Sequence, residues 1–336
     1  MASAGIFYSL MVLSLLGPIV LYIISYMDSV KTQGEQMTVK FEGIELANYA
    51  DSISLDVPRV LDIASKRAIV AVIDHADTAG YGVGDAELEL TALVLNNTYS
   101  DGSSASIMLN SSFSHWINST QMIGANHGFI ANITVENLSI KHSDPFILNF
   151  SIDLHVDITD RTQSMRLNRT YSAFTLISIE GFTDPLYPIN TRGLIERVIT
   201  KVNMTINDTT STEYMINNSW YVNNPDAPSF LERLQGCTWP NDTAHNCSDE
   251  YYGNGIESFI FFPELRAHFE ETDPILLPNA SMVDHMYFND TVLALPLYPF
   301  PYIVGCNVSG ITDGVYDWFK MDAAHNDTYG VGINCS

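Results

Sequence analysis

The longest apolar run is 5–27, GIFYSLMVLSLLGPIVLYIISYM, and no charged side chain precedes Asp28. As a helix this run measures roughly 34 Å, enough to cross a hydrocarbon core. The pattern therefore predicts a transmembrane or filament-core helix over 1–27. Gly17-Pro18 falls near its middle and bends it there. No Lys or Arg precedes Lys31 and no A-x-A site follows the run, so a cleaved secretory leader is not expected.

Beyond Met27 the helical period continues. Met37, Phe41, Ile44, Ala47, Ala50, Ile53, Val57, Val60, Ala64, Ala68 and Val72 recur at intervals of three or four, which predicts one apolar face on an amphipathic stalk over 28–78. Pro58 either kinks this helix or marks a second one capped by Asp56. A glycine-rich junction, Gly80-Tyr-Gly-Val-Gly, follows. It leads into a strand-like pattern and does not read as a nucleotide loop.

From there the period switches to two. Residues 87–95 (ELELTALVL) alternate and predict a strand. Residues 129–140 alternate with a slip at Glu136-Asn137, the mark of a bulge. The clearest strand is 146–158, with Phe146, Leu148, Phe150, Ile152, Leu154, Val156 and Ile158 on one face. A partner strand is expected over 165–179. These elements predict an antiparallel β domain over 79–182, one side of a β-sandwich.

GFTDPLYPIN (181–190) reads as a junction into a second β-rich domain over 183–336. A short helix is expected over 193–201, and another from Asp226-Ala-Pro-Ser to Gly236. Residues 256–263 and 286–288 read as buried strands. The apolar, proline-rich 291–304 reads as an edge strand or packed loop. The fold class is therefore α+β: a long N-terminal helix followed by a β-rich, sandwich-like ectodomain in two parts.

Composition sharpens the picture. The net charge of −24 argues against nucleic acid as a partner, because phosphate neutralisation needs clustered Lys and Arg. Of 25 Asn, 17 stand in N-x-[ST] sequons, where chance gives about four. They are Asn96, Asn110, Asn118, Asn132, Asn137, Asn149, Asn168, Asn203, Asn207, Asn217, Asn241, Asn246, Asn279, Asn289, Asn307, Asn326 and Asn334. All lie after residue 95. N-linked glycans on a non-cytoplasmic C-terminal part follow as an expectation, with the sugar-free start enclosed in membrane or assembly.

The four cysteines, Cys237, Cys247, Cys306 and Cys335, form no C-x-x-C pair. In an oxidising exterior two disulfides are the default. Three pairings are open, and locality favours Cys237–Cys247 and Cys306–Cys335.

Catalytic signatures are missing: the sequence has no G-x-S-x-G, P-loop or H-E-x-x-H. The nine His include no i, i+4 pair. His285, after Asp284 in an apolar stretch, reads as a structural histidine. Asp157 and Asp160 flank a turn and read as solvated rather than as calcium ligands. No catalytic, cofactor or metal residue is assigned, and no enzyme activity is expected. An ectoenzyme would need a cleft of convergent titratable groups with shifted pKa values.

The apolar N-terminal helix with its Gly17-Pro18 kink, the amphipathic continuation and a β-rich, sequon-dense head together resemble archaeal type IV pilin-like surface proteins. The phrases GFTDPLYPIN (181–190), YGNGIESFIFFP (252–263) and SMVDHMYF (281–288) are similar to membrane-anchored archaeal surface proteins. The chain departs from the pilin pattern in lacking a Lys/Arg-Gly site before the apolar run and an acidic residue early in it. The resemblance implies a cell-surface structural glycoprotein. Its N-terminal helices would pack in a filament core of identical copies, and its heads would face outside. The alternative is a monomeric single-pass adhesin or binding protein, of which a viral envelope glycoprotein is a variant.

Overall fold

A computed structural model describes the backbone of residues 3–239, 247, 253–293, 303–311 and 315–335. Side chains are described for the same residues except 3–10, 13–15, 34–36, 38–39 and 290–293. The chain divides into two compact units. One gathers Met1–Leu55, Thr120–Ile133 and Val156–Arg169, and the other Asp56–Ser119, Thr134–His155 and Thr170–Ser336.

Helix α1 (Ser3–Ala79) is continuous through both Pro18 and Pro58, so neither proline ends it. Both prolines lie on exposed positions. Leu46, Ala50, Ile53, Val57, Leu61, Ala64, Ala68 and Val72 are buried at helical spacing. Each buried Leu, Ile or Val adds about 1.5–3 kcal/mol. Met37, Phe41 and Ile44, expected on this same face, are instead exposed. At about 100° per residue they fall on the opposite side from Leu46, Ala50 and Ile53. In the first unit Tyr49 donates its hydroxyl to Thr120 O at 2.7 Å and stacks on Phe129. A Cβ at Gly124 would stand 2.6 Å from that hydroxyl, so a larger residue there would have to displace the Tyr49 ring.

The strand expected over 87–95 is a helix, α2 (Ala86–Asn96). Asp85 caps it by accepting from Leu88 N, and Glu87 and Glu89 favour its positive N-terminal end. Leu90, Leu93 and Val94 then bury at helical spacing. A short 3-10 turn (Ser106–Met108) and α3 (Phe113–Asn126) follow.

Strands β1 (Phe129–Asp144), β2 (Ile147–Asp160) and β3 (Arg166–Ser178) pair in chain order. β2 alternates as its sequence requires, with Leu148 to Ile158 at every second residue buried. On β1 the alternation slips where Glu136 and Asn137 are both exposed. Asp157 is held by Arg166 through two hydrogen bonds of 2.8 and 2.7 Å. Asp160 is taken up by Thr162, Ser164 and Met165 N in the β2–β3 turn. Both carboxylates are thus occupied by their own turn.

The remaining elements are short. They are α4 (Leu186–Thr191), α5 (Thr209–Asn218), β4 (Val222–Asn223), α6 (Phe230–Leu234), β5 (Ile256–Glu257) and α7 (Phe262–His268). Then come α8 (Asp284–Leu293), β6 (Cys306–Val308), β7 (Lys320–Met321), α9 (His325–Tyr329) and β8 (Ile333–Asn334). β4 pairs with β5, and β6 lies between β7 and β8. The junction 181–190 contains α4, and the helix expected over 193–201 does not form: Arg192 ends α4 in the left-handed region. The strand expected at 286–288 lies within α8, whose first turn carries Asp284. Of 256–263 only Ile256–Glu257 is strand. Residues 294–302 of the expected edge segment lie outside the described residues.

Two parts of the expected fold are corrected. The chain is 44% helical against 23% strand, with antiparallel sheets of three, two and three strands among the described residues, so the part after α1 is not the expected β-rich sandwich. Short apolar runs that suit strands are capped as helices instead. Among the described residues no helix is long and apolar enough to cross a membrane. In the stretch of α1 whose side chains are described without a break, 16–33, Gly17, Pro18, Asp28, Lys31 and Gln33 dilute the apolar residues.

The cysteines pair as Cys237–Cys247 and Cys306–Cys335, consistent with an extracellular or secreted protein.

Candidate functional site

Most titratable groups buried in the second unit gather beside β5. Gly255 lets that strand approach: a Cβ there would lie 2.0 Å from Ala227 O and 2.3 Å from Asn224 O. Glu257 follows, with no exposed surface. Its Oε1 accepts from the Tyr329 hydroxyl, and its Oε2 accepts from Asn224 Nδ2 at 2.7 Å.

Two histidines face the same oxygen. His285 Nε2 lies 3.4 Å and His325 Nε2 3.3 Å from Glu257 Oε2. His285 stands in the first turn of α8, fixed by Asp284 N donating to Ser258 O at 2.9 Å. His325 opens α9, where Asp322 Oδ1 accepts from Ala324 N and His325 N. Each ring is oriented from behind: His285 Nδ1 lies 3.0 Å from Thr238 O, and His325 Nδ1 2.9 Å from both Asp322 oxygens.

Burial raises the Glu257 carboxyl, but the hydrogen bonds from His285 and His325 outweigh it and hold the group well below the usual carboxylate range. Burial disfavours the His325 imidazolium, yet Asp322 and Glu257 overcome that and push the ring up to about 10. Asn224, Asp226, Trp239, His285, Met286, Ala324, His325 and Thr328 line a cavity of about 400 Å³. Trp239 meets His285 edge-to-face at 5.4 Å. Buried titratable groups thus converge behind this cavity, Glu257 and His325 with shifted pKa values, and His285 and His325 line it.

A second charged cluster supports the first. Arg233 on α6, with no exposed surface, donates Nη1 to Asp184 Oδ2 at 2.6 Å and to Asp284 Oδ2 at 2.9 Å. Its Nη2 donates to Ile256 O, the residue before Glu257. Tyr221 and Ser258 hydroxyls complete the acids at 2.9 Å each. Burial raises Asp184, and Asp284 adds to the rise while Arg233 opposes it.

The second candidate feature is the exposed surface of α1. Leu16, Ile23, Val30, Met37 and Ile44 recur every seven residues and are 48–66% exposed. Val12, Ile19 and Tyr26 interleave with them at the matching heptad position. Val20, Leu21, Tyr22, Ile24 and Met27 are exposed on the rest of the circumference.

Of the sequon asparagines, Asn96, Asn110, Asn118, Asn132, Asn137, Asn168, Asn203, Asn207, Asn217, Asn279, Asn307 and Asn334 are exposed. Asn149, Asn289 and Asn326 are half-buried, and Asn241 and Asn246 lie outside the described residues. Sequence reasoning missed Glu257, Asp322, His325 and their supports. The D-x-x-H spacing of Asp322 and His325 is the one local signal, and Glu257 is distant from both in the chain. No known family model, characterised protein or solved structure matches the chain.

Proposed function

We propose that this chain is a structural subunit of an extracellular, N-glycosylated, pilin-like assembly, in which α1 packs lengthwise against α1 of identical copies. The observation that carries this reading is the exposed heptad seam of Leu16, Ile23, Val30, Met37 and Ile44. Strict seven-residue spacing keeps one seam turned toward a parallel or antiparallel helix of the same period. A helix apolar on all sides is a helix that gets buried. The exposed Leu21 and Ile24 point away from the seam, so more than one neighbour covers each helix. The absence of sequons before Asn96 leaves this surface clear of sugar, while the 17 sequons beyond it suit an outward-facing head.

The test is the mass of the full-length chain in detergent-free buffer, by sedimentation and negative-stain electron microscopy. Wild type is expected as large, elongated particles. The double variant Ile23→Asp with Val30→Asp is expected as single chains with an unchanged thermal transition of the head. Wild type sedimenting as a single chain sinks the assembly reading and leaves the monomeric surface-binding protein.

A further inference from the structure

The acid–histidine cluster beside β5 has no part in an assembly through α1. Thr238 O is an acceptor only, so His285 Nδ1 must be its donor. Asp322, an ionised carboxylate, likewise requires the proton on His325 Nδ1. A metal can bind only by displacing the proton that Asp322 and Glu257 hold on the His325 ring; rings with those tautomers then direct two Nε2 lone pairs at Glu257 Oε2, itself a lone-pair atom. Three electron-rich atoms thus converge, and a positive centre has to lie among them.

Distances separate a proton from a metal. Charge-assisted N–H···O bonds measure about 2.7–2.9 Å. The outer contacts fit that range or nearly so, at 3.0 Å to Thr238 and 2.9 Å to Asp322. The inner ones do not, at 3.4 and 3.3 Å. Those values match the donor–donor edge of a tetrahedral ion with bonds of about 2.0–2.1 Å, which is about 3.3 Å. One donor atom from each of Glu257, His285 and His325 lies within 4.8 Å of the other two.

The outer contacts are also those of a built metal site. Metal-bound histidines donate the other ring N–H to a carbonyl or carboxylate, which fixes the tautomer and raises the basicity of the ligating nitrogen. Here one histidine has each kind of partner. Asn224 fixes the carboxylate oxygen in the same way.

We infer that Glu257 Oε2, His285 Nε2 and His325 Nε2 bind a first-row divalent metal ion of the zinc class, with the fourth position turned to the cavity that both histidines line. Two imidazoles and one carboxylate suit zinc and its neighbours rather than calcium, which takes six to eight oxygens. Three protein ligands leave one coordination position for water or a small ligand.

The experiment loads chelator-treated full-length chain with Co²⁺ alone and records its visible absorption, with metal counted by mass spectrometry. Wild type is expected to take up one Co²⁺ per chain with the intense bands of low coordination number, and Zn²⁺ should displace it. His285→Gln and His325→Gln should each lose at least about a hundredfold in affinity. Asp322→Asn should lose about ten- to a hundredfold while still binding one ion. If the histidine variants do not fold, Cu²⁺ spin-echo spectra of wild type decide: modulation from two imidazole Nδ1 atoms supports the site. Wild type that takes up no stoichiometric Co²⁺, Cu²⁺ without that modulation, or folded histidine variants that bind like wild type would overturn it.

Discussion

Arg233 Nη1 lies 2.9 Å from Asp284 Oδ2, and neither side chain has any exposed surface. The residue after Asp284 is His285, whose backbone N donates to Asp284 Oδ1 at 2.6 Å. One buried ion pair therefore sets the origin of α8 and the position of a site histidine. Arg233→Leu would leave Asp184 and Asp284 buried without their cation. A loss of about 3–5 kcal/mol is expected in urea unfolding. An unchanged midpoint would mean that the two acids are not stabilised by this arginine.

A pH dependence follows from β1. Burial lowers His142 from its ordinary value to about 4, and Asp144 only partly offsets this. The unfolded chain then binds a proton at higher pH than the folded one. Stability is full above the unfolded value of about 6.5 and falls as the pH drops toward about 4, by at most about 1.4 kcal/mol per pH unit. His142→Gln should flatten the thermal midpoint across that window. A variant whose midpoint keeps the wild-type slope there would place the titration elsewhere.

The two disulfides should differ in weight. Cys306–Cys335 closes a separation of 29 residues and Cys237–Cys247 one of 10. Chain entropy gives roughly 3.6 and 2.7 kcal/mol for loops of those lengths. Paired Cys→Ser replacement of the first should therefore lower stability more, by about 1 kcal/mol, in equilibrium unfolding. The reverse order would show that strain or residual structure outweighs loop length.

Glycan occupancy should follow exposure. Enzymatic deglycosylation is expected to reduce the mass of the native protein. Peptide mass spectrometry should find sugar at exposed sites such as Asn96, Asn168 and Asn203 ahead of half-buried Asn149, Asn289 and Asn326. The Asn149 Oδ1 atom is buried, and Asn289 Oδ1 accepts from Thr238 at 3.0 Å. Full occupancy at those two sites would contradict the described packing.

The sequence made β2 legible because a half-buried strand imposes a strict period of two, and no capping residue competes with it. The local start of α6 was legible too, since Ser229 and Glu232 form a reciprocal capping box. Residues 87–95 were misread because E-L-E-L satisfies alternation over four residues, and Asp85 decides for helix from outside that window. The stripe of α1 was seen as one face, yet Met37 and Ile44 keep an exposed heptad seam and Phe41 is exposed beside them, while Ala50 to Val72 follow a buried stripe on the opposite side. Glu257, His285 and His325 left no sequence pattern, because three separate chain segments supply them and only folding brings them together.

Both disulfides bracket the acid–histidine cluster. Thr238, whose carbonyl orients His285, follows Cys237 directly. Asp322, His325 and Tyr329 all lie within the segment closed by Cys306–Cys335. The consequence is an order of maturation. Reduction of the two disulfides is expected to loosen both edges of this cluster, and their oxidation to hold the donor atoms in register. If the pocket takes an ion as inferred, its capture is expected to follow thiol oxidation, which would tie the chemistry of this pocket to the compartment in which the disulfides form.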